Sequence, residues 1–292
     1  DEPGSLFAAS YVANRLRALG VPYVLEQHVP VVQPVFHQCE LTVVRPDGAE
    51  ETFDRADGFY PMRPNVLHAP VTPAWGLLTA QQVEDGRTGL DVLYAGDGDP
   101  EDYPPKLAEG KIVVVEYDCD RKWLHAFAFG ARAVIFIGPE GQPDRQVLNP
   151  FHHVNVPAIL PRYYVTPALA ERLNLRQPAG RMNVRAACEW TQLRGCNVIG
   201  FLPGTDPVFG EGTDSKPEVV VLAAPLDTYA EVPELARGAR DAANCAALLR
   251  AAAYFQENRP RRDILVCFFD GQAQNHLGAR AFYGGVLRGL KT

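Results

Sequence analysis

"PEVVVLAAPLDTY" (Pro217–Tyr229), "DAANCAALLRAAAYFQ" (Asp241–Gln256) and "DILVCFFDG" (Asp263–Gly271) follow one another along the chain, and their reading decides the fold. The first and third are short, continuously apolar runs. A strand that shows one face to water alternates, so an unbroken run reads as a strand covered on both faces. The middle segment carries apolar residues at helical spacing. Strand, helix and strand in that order form the crossover unit of a parallel sheet. Chemistry on such sheets sits at the carboxyl ends of the strands, here "PLDTY" and "DGQAQNH" (Asp270–His276). Where a reactive group is expected, the second loop offers Gln272, Ala273, Gln274 and Asn275.

Upstream, "SLFAASYVANRLRALGV" (Ser5–Val21) predicts an amphipathic helix. Ser5 is its expected N-cap, Phe7, Tyr11, Val12, Leu16 and Leu19 its apolar stripe, and Gly20 its end. Extended stretches follow at Tyr23–Val32 and His37–Phe53, the second turning at "RPDGAE" as a hairpin. Phe59–Trp75 is proline-rich without periodicity and is expected to connect two bodies. Beyond it, "LDVLYAG", "KIVVVEYD", the helix "RKWLHAFAFGA" and "AVIFIG" form a second α/β or open-barrel unit. A strand and short helix follow, with Thr166 as cap and Pro167 at the first helical position. Trp123, Phe127 and Phe129 read as core packing at helical spacing rather than as an aromatic binding face. "ACEWTQLRGCNVIGFLPG" (Ala187–Gly204) is a long extended segment leading into the deciding unit.

At 292 residues with 47% hydrophobic and 22% charged, the composition is that of one large or two modest globular domains. A net charge of −7 gives no basic surplus to neutralise phosphates, so nucleic acid is not an expected partner. The densest basic cluster, "RPRR" (Arg259–Arg262), reads as a solvated turn. No apolar run reaches the roughly 20 residues that span a bilayer. The chain opens at Asp1, compatible with a removed signal peptide or a trimmed sequence. Cysteines 245 and 267 read as free buried thiols. Cys188 and Cys196 are the one pair read as a candidate disulfide in an oxidising compartment. Zinc spacing of Cys and His is absent, and neither a dinucleotide fingerprint nor a G-x-S-x-G elbow is present.

In order, "NVIGFLPG", "PEVVVLAAPLDTY", "GARDAANCAALLRAA" and "RRDILVCFFDGQAQNHLGARAF" resemble the co-catalytic di-zinc aminopeptidases, the clan of glutamate carboxypeptidase II, the transferrin receptor and nicastrin. "GKIVVVEYD", "WLHAFAFGARAVIFIG" and "VPAILPRYYV" resemble the protease-associated domain inserted in many members. The resemblance implies an α/β fold with a parallel-rich mixed sheet and flanking helices, incomplete in this chain. Residues 1–58 and 189–292 would form the aminopeptidase-like body and 59–188 the insertion. It also implies a first strand ending His-x-Asp, a loop Asp bridging two zincs, and a second strand ending Asp-Gly-Glu-Glu that gives the base and a further ligand.

This chain departs from that pattern. Pro225 stands at the His position, and Asp227 keeps the orienting Asp without an imidazole to orient. The bridging Asp falls on Arg240, or on Asp241 if the loop slips by one. Gln272 replaces the base and Ala273 the zinc-binding Glu. A neutral amide does not take a proton from zinc-bound water, and a methyl group does not ligate. Asp241 is the one remnant ligand candidate, with Asp227 behind it. For both, a cap or turn role is favoured over a residual cation site. His276 and the His152–His153 pair read as surface residues.

The expectation is an extracytoplasmic or secreted, catalytically inactive homologue that needs no cofactor. It would bind an unidentified protein or peptide; were the sheet truncated, its exposed apolar edge would favour self-association or a covering partner. The alternative is an active metallopeptidase that uses zinc through a rearranged site or through ligands outside this chain. A third reading makes the 292 residues a piece of a longer protein, since the sheet lacks its remaining strands.

Overall fold

In the computed structural model, the structure describes residues 3–63, 89–103, 108–141, 160–206 and 219–286. The chain divides into two compact units. One comprises Asp1–Val32, Gln192–Thr228 and Arg237–Thr292, and the other Gln33–Thr191 and Tyr229–Ala236. The architecture is α/β, with a parallel-rich mixed sheet and flanking helices.

The first unit holds helix α1 (Pro3–Ala18), the start of β1 (Tyr23–Val44), the end of β8 (Arg181–Leu202), β9 (Val219–Pro225), α4 (Ala239–Glu257) and β10 (Asp263–Phe269). The expected crossover forms. β9 and β10 are parallel, in register from Val219↔Asp263 to Pro225↔Phe269, with α4 between them in sequence. On the other side of β10, Ile264–Phe268 pairs antiparallel with Val198–Leu202 of β8. One sheet face packs against α1 and α4 through Val198, Leu202, Ile264, Val266 and Phe268. The opposite face buries Ile199, Leu265 and Cys267 against Phe282. Two buried faces account for the apolar run of β10, whereas β9, expected to be covered likewise, buries Ala224 alone and leaves Val220 41% exposed, because it pairs with β10 on one side only among the described residues.

Helix α1 departs from expectation in two respects. It starts at Pro3, so Ser5 lies within the helix rather than capping it, and its hydroxyl donates to Asp270. The buried stripe is Ala9, Val12, Ala13 and Leu16, while Phe7 and Tyr11 are 72% and 62% exposed. Both stripes satisfy helical spacing, and only packing against the sheet selects between them.

The second unit is built on parallel strands β4 (Leu90–Tyr94), β5 (Ile112–Glu116), β6 (Ala133–Ile137) and β7 (Arg162–Val165). Helix α2 (Trp123–Ala128) connects β5 to β6 and buries Trp123 fully. Arg162 stacks its guanidinium 4.9 Å from the Trp123 ring centre. Phe129, by contrast, is 42% exposed. The expected hairpin joins β1 to β2 (Glu50–Phe53), with Gly48 at φ +85° in its turn. Thr166 caps α3 (Pro167–Arg172), its Oγ1 accepting from Leu169 N at 3.3 Å.

Part of the expected connector is a strand: β3 (Phe59–Pro61) pairs antiparallel with β7. Its proline is tolerated because β3 lies at the end of the strand order. All six cysteines are free. Cys188 and Cys196 lie on the one extended strand β8, so their Cα atoms are far beyond the about 7 Å a disulfide spans. Among the described residues, no helix is long and apolar enough to cross a membrane.

Candidate functional site

The register that levels Pro225 with Phe269 brings the ends of β9 and β10 together. Leu226 N donates to Phe269 O at 2.7 Å, so the nitrogen of the preceding Pro225 faces away from β10 and its missing N–H breaks no bond to that strand. From here Asp227 runs beside the turn Asp270–Gly271–Gln272. Gly271 has φ +72°, a left-handed conformation that favours glycine.

Asp227 turns toward that loop. Its two carboxylate oxygens accept from Gln272 N at 3.1 and 2.9 Å. Burial pushes its carboxyl up to about 6, opposed by the Gln272 N–H and reinforced by the negative charge of Asp270. A carboxyl raised from its ordinary 3.8 binds its proton more tightly in the folded than in the unfolded chain. Its contribution to stability is therefore full below about pH 4 and is lost as pH rises through about 6. Asp227→Asn is expected to remove that slope. Urea unfolding from pH 4 to 7 should show the variant gaining on the native chain up to about pH 6 and running parallel above it. A constant difference across the range would contradict the assignment.

Asp270 is the buried centre of the loop. Its carboxylate accepts from the Ser5 hydroxyl, from Cys196 N at 3.0 Å and from Gly271 N at 2.8 Å. Its own N–H goes to Asn197 Oδ1 at 3.0 Å. Asn197 in turn donates to Gln27 Oε1 and to Gly278 O, both at 2.9 Å, and Gly278 N returns to Asp270 O at 3.0 Å. Sequence reasoning missed Ser5, Asn197 and Gly278 as supports of this loop. The signal available was the Asp-Gly turn followed by Gly278. A Cβ on Gly278 would lie 2.2 Å from Asn197 Oδ1.

Asp241 lies in the first turn of α4, half-buried, two residues inside a helix that starts at Ala239 rather than at Asp241. Gly238 is the N-cap, without a side-chain bond, so Asp241 is not the cap itself. Cys245, one turn on, donates from Sγ to Pro225 O at 3.0 Å. Burial pushes its thiol up to about 11, and the charges of Asp241 and Asp227 add to the rise. Arg240 is exposed. Ala273 is half-buried on the loop, and His276 is exposed with φ +55°. His152 and His153 lie outside the described residues.

The donor set does not fit a pair of zinc ions. Pro225, Gln272 and Ala273 contribute no anionic or imidazole ligand, and Asp227 is engaged by the Gln272 N–H. Among the described residues, no three His, Cys, Asp or Glu are grouped to hold a metal ion. What the strand ends do form is a cavity of about 160 Å³, walled by Ala223–Pro225, Phe269, Asp270, Gln272, His276 and Ala279.

Comparison with known proteins bears on the fold. Residues 197–286 match peptidase family M28. The zinc aminopeptidase BSAP of Bacillus subtilis superposes with a TM-score of 0.64 at 17% identity, over 96% of this chain and 59% of that one. An aminopeptidase from Aneurinibacillus sp. strain AM-1 gives 0.55 at 17% identity, over 97% and 61%. A peptidase M28 precursor from Shewanella amazonensis SB2B gives 0.59 at 14% identity, over 96% and 62%. No curated protein matches the sequence. The chain spans about three-fifths of the length of these structures. The chain thus has the fold of these aminopeptidases and matches the M28 family model across the strand–helix–strand unit that carries the candidate site.

Proposed function

We propose that this chain is a non-hydrolytic homologue of the zinc aminopeptidases and serves as a binding or scaffolding module for a protein or peptide. One observation carries the reading. Pro225, Gln272 and Ala273 jointly replace a metal-binding His and a base–ligand pair, and Asp227 is turned to the Gln272 N–H. Losing one base or ligand lowers turnover by orders of magnitude, and groups that act as a unit leave little when several are lost.

In this reading residues 1–58 and 189–292 form the aminopeptidase-like body, and 59–188 a protease-associated-like insertion. The parallel run β4–β7 with α2 supports the second assignment. An extracytoplasmic or secreted location and self-association belong to the same reading. Cell fractionation and sedimentation test them.

The purified protein is expected to carry well under one zinc per chain by mass spectrometry and to leave aminoacyl p-nitroanilides uncleaved. About two zincs per chain together with hydrolysis would sink the proposal. That result would favour an active metallopeptidase completed by residues outside this chain, a reading supported by the three-fifths coverage of the similar structures.

A further inference from the structure

The chain between Asp227, just past β9, and Asp241, in the first turn of α4, does not stay in the first unit. After Thr228 it contributes Tyr229–Ala236 to the second unit, and it returns at Arg237. Thr228 alone separates Asp227 from this strap, and Arg237 and Gly238 separate the strap from the helix that begins at Ala239.

The strap is firmly seated. Ala230, Glu231 and Val232 are 3%, 1% and 0% exposed, and Val232 belongs to the core cluster of Met62, Tyr117, Trp123 and Tyr164. Arg63 N donates to Glu231 O at 2.7 Å, and the Arg63 guanidinium lies 5.0 Å from the centre of the Tyr229 ring. The Tyr229 hydroxyl donates to the Glu231 carboxylate, which also lies in the field of the buried Arg162 charge. A buried carboxylate is retained only with such partners. Further along, Glu234 Oε1 lies 2.8 Å from Arg55 Nε.

Strand β9 is held less well. It pairs with β10 on one side only among the described residues, and it buries Ala224 alone. Beyond Pro225 the backbone bond from Leu226 N to Phe269 O ties it to β10. Three consecutive buried residues of the strap remove more surface from water than the strand does just ahead of Asp227.

We propose that Tyr229–Ala236 is a positioning strap: seated in the second unit through Glu231 and Val232, it keeps Asp227 on the Gln272 amide, and its release opens the strand-end loop. Glu231 and Val232 are thus positioning residues for a loop to which they do not belong. Coupling of this kind is reciprocal. A ligand that displaces the strap from the second unit loosens the loop, and whatever tightens the loop steadies the strap. The inference goes beyond the non-hydrolytic reading and does not need it, since it concerns the backbone of the loop and not its chemistry.

Hydrogen exchange of the full chain, read amide by amide, tests it. The Gln272 amide donates to Asp227. In Val232→Ala it is expected to exchange about tenfold faster, measured against amides at the centre of β10, which report any loss of global stability. Val114→Ala removes the same atoms from the other core cluster of the second unit and should leave that ratio unchanged. An unchanged ratio in Val232→Ala, or an equal rise in Val114→Ala, overturns the proposal. Should Val232→Ala not fold, the native chain decides. In increasing urea below the unfolding transition, the Gln272 and Arg63 amides are expected to exchange through one shared opening. Exchange of Gln272 through an opening that leaves Arg63 protected overturns the strap. Zinc content and hydrolysis do not enter these ratios, so failure here leaves the non-hydrolytic reading standing.

Discussion

Asp270→Ala is expected to cost about 4 kcal/mol of unfolding free energy, measured as a drop in the urea midpoint at unchanged slope. The substitution removes the common acceptor of the Ser5 hydroxyl, Cys196 N and Gly271 N. A buried donor left without an acceptor costs about 1–3 kcal/mol, and two of these three are backbone groups unable to turn to another partner. Asp270→Asn keeps one acceptor oxygen and should recover part of the loss. A change under 1 kcal/mol for the alanine variant would mean that the carboxylate does not hold the loop. The Asp of the Asp-Gly turn would then be a conventional turn former.

Gly278→Ala is expected to be destabilising on a similar scale, about 3 kcal/mol or more, although it adds a single methyl group. That methyl would sit 2.2 Å from Asn197 Oδ1, 2.3 Å from Asp270 O and 3.0 Å from Asp270 N. Two of these contacts are backbone atoms, which cannot swing aside as a long side chain would. Relief requires α5 (Leu277–Ala281) to move off the strand end, breaking the Gly278 N to Asp270 O bond and the Asn197 amide bridge. The two substitutions act on one network, so a double-mutant cycle should give less than the sum of the single effects. Full additivity would show that the glycine and the aspartate support the loop independently. Both variants bear on the candidate site because this network holds the loop that carries Gln272 and His276, which line the cavity.

Much of the architecture was legible from local pattern. Continuous apolar runs marked β9 and β10, helical spacing marked α4, and Thr166 followed by Pro167 marked the start of α3. These features are set by neighbours a few residues away, so the sequence carries them directly. That Pro225, Gln272 and Ala273 offer no metal ligand or base is legible for the same reason, since identity alone decides whether a side chain can ligate or take a proton.

What failed was whatever depended on distant partners. Ser5 reads as a cap because capping is a local role, yet its hydroxyl serves Asp270, 265 residues away. Phe7 and Tyr11 fit the helical stripe as well as Ala9 and Ala13 do, and only the position of the sheet exposes the aromatics and buries the alanines. Phe59–Pro61, too short and proline-rich to announce a strand, becomes one by pairing with β7. The sequence alone determined the order of elements and the residue types that stand at the strand ends, because both follow from residue identity and short-range spacing. Tertiary structure decided which polar groups are satisfied and that Asp227 is held by the Gln272 backbone. Those outcomes depend on atoms brought together across the sheet, and no window of sequence contains both partners.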